Sequence, residues 1–130
     1  MKTKKKPKWN QRTHIKGALR RIFIKSPIIK QVKDLAVHPT IKGKRGGKRY
    51  ICAHCKKTYS PLDIQVDHIK PLIPIHKTIR DFTYDELINN MFCSIDNLQV
   101  LCYECHKIKT AKERKERKKE KQNEIQRIVA

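Results

Sequence analysis

The chain has 130 residues, enough for one domain with short appended arms, and a formal charge of +20. No stretch reaches the ~20 apolar residues of a membrane span, and no apolar run follows the basic first residues as a secretion signal requires. The charge is unevenly placed. Residues 1–50 carry 17 Lys and Arg against Asp34 alone, residues 51–106 carry 5 basic and 7 acidic residues, and residues 107–130 carry 10 basic and 4 acidic. Two basic flanks around a near-neutral centre point to a polyanionic partner, since each phosphate contact releases counterions. All five cysteines lie in that centre. An intracellular setting, where thiols stay reduced, makes paired cysteines a metal site rather than disulfides.

In chain order, residues 1–12 read as a flexible Lys-rich arm with a single Trp9. From about Thr13, Ile15, Leu19, Ile22 and Phe23 recur at helical spacing. Ser26-Pro27 restarts a second amphipathic helix with Ile28, Ile29, Val32, Leu35 and Ala36, until His38-Pro39 stops it. The stretch Lys42-Gly-Lys-Arg-Gly-Gly-Lys-Arg49 reads as a mobile basic linker. Ile64, Val66, His68 and Lys70 form a strand that Pro71 closes, and 97–102 alternates as a second strand. Between them, 72–96 is an insertion in which Thr83-Tyr-Asp-Glu86 predicts a capped helix. After Tyr103 the chain turns helical. Its last part, 111–130, is a charged extension supported by pairs such as Glu113 with Arg117.

Cys52-x-x-Cys55 and Cys102-x-x-Cys105 have the ligand count and local spacing of a closed tetrahedral zinc site. The 46 residues between the pairs exceed the usual spacing of about 15–20, and the insertion explains much of the excess. A 56-residue centre also falls below the ~70–80 residues at which a core alone suffices. Cys93 is left over as a small core residue, and His54 sits exposed at the knuckle tip.

Asp67-His68, Asn97 and His106 are interleaved with the cysteines. Phosphodiester hydrolysis needs a base for water and a cation for the charge on phosphate. His68 suits the first role, and Asp67 with His106 the second. Lys109 and Thr110, three and four residues after His106, share its helix face and are placed to meet a phosphate. An ideal strand sends Asp67 and His68 to opposite faces, so a common site requires a bulge or bend. Taken singly, the residues have other uses: Asp67 as a turn cap, His106 as a substitute zinc ligand, Asn97 as a turn residue.

Tyr50-Ile-Cys-Ala-His-Cys55, Val66-Asp-His-Ile-Lys-Pro71 and Asp96-Asn-Leu-Gln-Val-Leu-Cys-Tyr-Glu-Cys-His-Lys-Ile-Lys-Thr110 together resemble the HNH endonucleases. These form the ββα-metal or His-Me finger superfamily, and the likeness is to small phage-type members with a four-cysteine zinc frame. The resemblance covers about 60 residues. It implies an α+β fold: a ββα-metal core over 50–110 stapled by zinc, with basic N-terminal helices and linker over 13–49 and a C-terminal helical extension. It also implies cleavage or nicking of DNA, double-stranded by expectation, with His68 as general base. Asp67 and His106 would hold a catalytic Mg2+ or another divalent ion such as Mn2+, and Asn97 would hold the first strand and orient His68. The alternatives are a non-catalytic zinc-dependent module that binds nucleic acid, or a phage packaging accessory protein acting with packaging partners. The segment between His68 and Asn97 is longer than in the compact members of that superfamily.

Overall fold

A computed structural model describes residues 3–6 and 8–129. The protein is a small α+β fold of four α-helices and two antiparallel sheets. Of the expected arm, Met1, Lys2 and Pro7 lie outside the described residues. The arm ends earlier than its composition suggests, because Asn10 caps α1 (Gln11–Phe23) by accepting from the Thr13 amide at 3.2 Å. Trp9 stacks on His14 with ring centroids 5.2 Å apart.

The helix α2 (Pro27–Leu35) starts at the Ser26-Pro27 boundary, where proline presets the first helical residue, although the Ser26 side chain makes no cap bond. Ile29 and Val32 are buried from it, whereas Leu35, which continues the apolar pattern, ends the helix 78 % exposed.

The basic linker is a correction. Residues 42–49 belong to a hairpin: β1 (Val37–Lys42) and β2 (Lys48–Ile51) pair antiparallel, and β3 (Thr58–Tyr59) adds to the far side of β2. The glycines that suggested mobility make the turn instead. Gly46 takes φ +78°, and the Gly43 amide donates to the Gly47 carbonyl at 2.8 Å. His38-Pro39 lies inside β1 rather than stopping α2. Proline favours extended backbone in the residue before it, and the pairing of β1 is irregular between Val37 and Lys42. There His38 Nδ1 accepts from the amides of Thr40 and Ile41 at 3.2 and 2.9 Å.

The second sheet consists of β4 (Ile64–His68) and β5 (Leu98–Cys102), paired without a break from Ile64↔Cys102 to His68↔Leu98. Strand β5 runs directly into α4 (Tyr103–Val129), which packs on both strands. The connection from β4 to β5 holds α3 (Tyr84–Met91), whose expected capping box forms: Thr83 Oγ1 accepts from the Glu86 amide, and Glu86 Oε1 from the Thr83 amide. Three polar side chains tie that connection down. Arg12 donates to the Phe82 carbonyl, Asn90 to the Leu72 carbonyl, and Arg117 to the carbonyls of Ile73 and Pro74.

One apolar cluster joins Phe23, Ile29, Val32 and Tyr50 to Ile64, Leu72, Phe82, Leu87, Met91, Leu98 and Val100. The N-terminal helices are therefore part of the core, and the 49/50 boundary between helical region and central domain does not separate two packing units. Met91 is fully buried at the centre of this cluster. Met91→Ala should lower stability by about 2–5 kcal/mol, the usual cost of a truncated core side chain, measured by urea denaturation at constant m-value.

Candidate active site and metal centre

Two local turns assemble the cysteines. After β2 the chain reverses through Lys56, which adopts φ +64°, with the Cys52 amide donating to the Lys57 carbonyl and the Lys56 amide to the Cys52 carbonyl. The Ala53 amide donates to the Val100 carbonyl at 2.8 Å and lays this knuckle against β5. At the other pair, the Cys105 amide at the start of α4 lies 3.5 Å from Cys102 Sγ and donates to it. The four sulfurs of Cys52, Cys55, Cys102 and Cys105 consequently lie within 4.8 Å of one another. Zn–S bonds of ~2.3 Å put tetrahedral thiolates roughly 3.8 Å apart, so the cluster is of a size to hold a metal ion such as zinc.

The thiols of the cluster perturb one another in opposite directions. The Tyr59 hydroxyl, 3.3 Å from Cys55 Sγ, draws that thiol down to about 6, helped by the Lys57 backbone. Burial, then the neighbouring Cys102 sulfur, pushes Cys105 up to about 12. Crowded thiolates oppose one another's ionisation, and a divalent cation removes that opposition. Cys93 lies partly buried against the main core, outside the cluster, and His54 is exposed.

Strand alternation decides the second constellation. No bulge interrupts β4 at Asp67-His68, and the two side chains diverge as ideal strand geometry requires. Asp67 faces α4 and Gln99. Its Oδ1 lies 3.6 Å from His106 Nε2, and its Oδ2 lies 3.1 Å from both Lys109 Nζ and Gln99 Nε2. His68 turns to the other side, against the Phe23 ring, with centroids 5.2 Å apart. Its Nε2 lies 2.9 Å from the Met91 carbonyl oxygen. A carbonyl only accepts, so Nε2 carries the hydrogen and Nδ1 is the nitrogen left to take up a proton. Nδ1 has no hydrogen-bond partner among the described residues.

Asn97 fastens the chain just beyond His68. Its Oδ1 accepts from the Lys70 amide at 2.9 Å, its Nδ2 faces the Lys70 carbonyl at 3.4 Å, and its own carbonyl accepts from the Ile69 amide. His106 follows Cys105, whose sulfur joins the four-cysteine cluster, and points elsewhere, to Asp67, as the ~100° step between helical neighbours dictates. Thr110 is exposed.

Lys109 departs from the expected phosphate-facing role. Its ammonium is turned inward to Asp67, to Glu113 and to the His68 carbonyl at 3.0 Å. Burial disfavours its charged form, but the bonds to Glu113 and Asp67 outweigh that and hold its pKa above the ordinary lysine value. Glu113 therefore pairs with Lys109, not with Arg117, whose guanidinium is occupied by the carbonyls of residues 73 and 74.

Sequence reasoning missed Gln99 as the neighbour of Asp67 and Glu113 as the partner of Lys109. Both were accessible in principle: Gln99 is the cross-strand partner of Asp67 once the strands are in register, and Glu113 lies one turn beyond Lys109. Compared with models of protein families, with curated proteins and with solved structures, the chain has no match.

One zinc ion per chain is the expected stoichiometry. Native mass spectrometry should show its mass on the wild type and its loss in Cys55→Ser. The melting temperature of the wild type should fall on chelation, whereas an unchanged melting curve in excess chelator would exclude a structural metal.

Proposed function

We propose that the protein is a metal-dependent endonuclease of the HNH type, hydrolysing phosphodiester bonds in double-stranded DNA. The observation that carries this reading is the His68 imidazole. It is held by the Met91 carbonyl with Nδ1 left to take a proton. It is next in sequence to Asp67 of the Asp67–His106 pair but on the opposite side of β4, so action on one phosphate requires β4 to bend when the substrate binds. Further support comes from the order of elements, two antiparallel strands followed at once by a helix, with four cysteines joining strand end and helix start.

In this reading His68 Nδ1 accepts the proton of the attacking water, while the Met91 carbonyl stabilises the imidazolium through Nε2. Asp67 and His106, 3.6 Å apart, would hold a divalent ion, which would supply charge stabilisation at the phosphate and the leaving oxygen. Asn97 positions the chain that carries the base. Gln99 orients the Asp67 carboxylate, leaving Oδ1 toward His106. Lys109 balances the charge of Asp67 and would compete with a cation for that carboxylate.

The Lys109–Asp67 contact also favours a second reading. A carboxylate already balanced by an ammonium needs no metal, and a non-catalytic zinc module that binds nucleic acid, alone or with packaging proteins, could use that pair structurally.

Plasmid cleavage with Mg2+ or Mn2+ separates the two. Wild type should convert supercoiled plasmid to nicked or linear forms, and His68→Ala should lower the rate by at least about 100-fold, the lower end of a general base's contribution. Zinc content and duplex affinity of His68→Ala should stay unchanged. Equal cleavage by both proteins removes His68 as the base, and no cleavage by wild type favours the binding module. Lys109→Met should bind Mn2+ more tightly than wild type by calorimetry, because the ion no longer competes with an ammonium for Asp67.

A further inference from the structure

A cavity of about 540 Å³ opens between α1, the segment after β4 and the second half of α4. Four cationic side chains line it, Lys16, Lys77, Arg117 and Lys121, against two acidic ones, Glu120 and Glu124. Glu120 lies 3.9 Å from Arg127. Arg117 is fixed in place by the carbonyls of Ile73 and Pro74, so its charge stays at the cavity wall. Lys16 is partly buried on α1 and has no carboxylate or hydrogen-bond partner among the described residues. Burial, then Arg20 and Arg117, lower its pKa from the ordinary lysine value. A half-buried ammonium beside two guanidiniums is a repulsive arrangement that an anion relieves.

The position of the cavity says which anion. Lys109, Glu113, Arg117, Glu120 and Glu124 follow one another at intervals of three and four residues, so they form one face of α4. Arg117 lies eight residues beyond Lys109, roughly 12 Å along the helix. With α4 laid along the duplex axis, at about 3.4 Å of axis per phosphate on one strand, that distance spans some three to four nucleotides.

We propose that this cavity is a phosphate subsite, in which Lys16, Arg117 and Lys121 hold the backbone of a nucleic acid three to four nucleotides from Asp67 and His68. The site rests on the nucleic-acid part of the function proposed above, not on catalysis. It gives α4 two functions: its first turns carry His106 and Lys109, and its middle turns hold the same strand further along. Orientation of the strand then follows from two fixed points rather than from the diffuse charge of the flanks.

Binding of a fluorescent 20-base-pair duplex by the full chain, at several salt concentrations and without divalent metal, tests it. Lys16→Ala should weaken binding several-fold at low salt and lower the slope of log affinity against log salt by about 0.9, one phosphate's share. Lys16→Arg should keep the slope, and Lys118→Ala, an exposed lysine outside the cavity lining, should leave it unchanged. Acylation of Lys16 by an amine-reactive ester, followed by peptide mass spectrometry, should be suppressed by the duplex. Equal slopes for Lys16→Ala and wild type overturn the site. So does protection of Lys16 by inorganic phosphate with none by duplex, which reassigns the cavity to a free anion. A protein whose slope depends on Lys16 but which never cuts plasmid keeps this subsite and loses the nuclease reading, so the two failures are distinguishable.

Discussion

Four sulfurs within 4.8 Å of one another connect the knuckle after β2 to the junction between β5 and α4, and the order of that whole end of the molecule rests on them. The main apolar cluster reaches this region at Tyr59, which packs on both clusters. The second cluster consists of Cys52, Cys102, Cys105 and Leu101, with Ala53, Cys55 and Tyr59 packed against it. Apart from Leu101, it offers little aliphatic surface to hold two chain segments together. A metal ion held by the four sulfurs would supply the attraction that packing lacks there, and would do so at the residue preceding His106. The angle at which α4 leaves β5 therefore sets where His106 and Lys109 meet Asp67. Tyr59 reinforces this from β3 through its hydroxyl on Cys55 Sγ, which links both sheets to the same centre.

The Asp67-His68 pair follows a different logic. Adjacent strand residues face opposite ways, so no ordinary strand can aim both at one point. The fold leaves the strand straight and gives each residue its own support: α4 and Gln99 for Asp67, and Phe23 with the Met91 carbonyl for His68. The supports for His68 come from α1 and from the end of α3. The insertion thus sets the tautomer of His68 through the Met91 carbonyl, and the appended helix packs Phe23 against its ring. That dependence explains why α1 and α3 belong to the main core rather than decorating it.

These dependencies also show what was legible in the chain. The cysteine spacing, the Thr83–Glu86 capping box and the Ser26-Pro27 helix start are local patterns, and each appears where the residues indicated. The 42–49 stretch was misread because glycine and lysine composition does not distinguish a linker from a hairpin turn. Pairing with β2 decides that, and pairing is nonlocal. Leu35 followed the helical period yet stays exposed, since a period predicts a face but not whether a neighbour covers it. The 56-residue centre undercounts the core, because Phe23, Ile29 and Val32 join it from outside. Lys109 could not be assigned from spacing: its partner on α4 is four residues away, but its partner on β4 is set by how the helix lies across the strands.

The polar face of α4 brings these strands together. A helix with no apolar residue from 112 to 124 cannot dock by hydrophobic burial. It docks through polar anchors. Lys109 reaches Asp67 and the His68 carbonyl, and Arg117 reaches the carbonyls of Ile73 and Pro74. Such contacts exchange readily for water or for ligand groups, because each is worth only about 1–3 kcal/mol net. An apolar interface of the same extent would fix α4 more firmly but would present nothing to a phosphate or a metal. The helix is therefore held in place by the same class of interaction through which a charged ligand would be recognised, and a bound polyanion would draw on Lys109 and its neighbours in competition with Asp67 and Glu113.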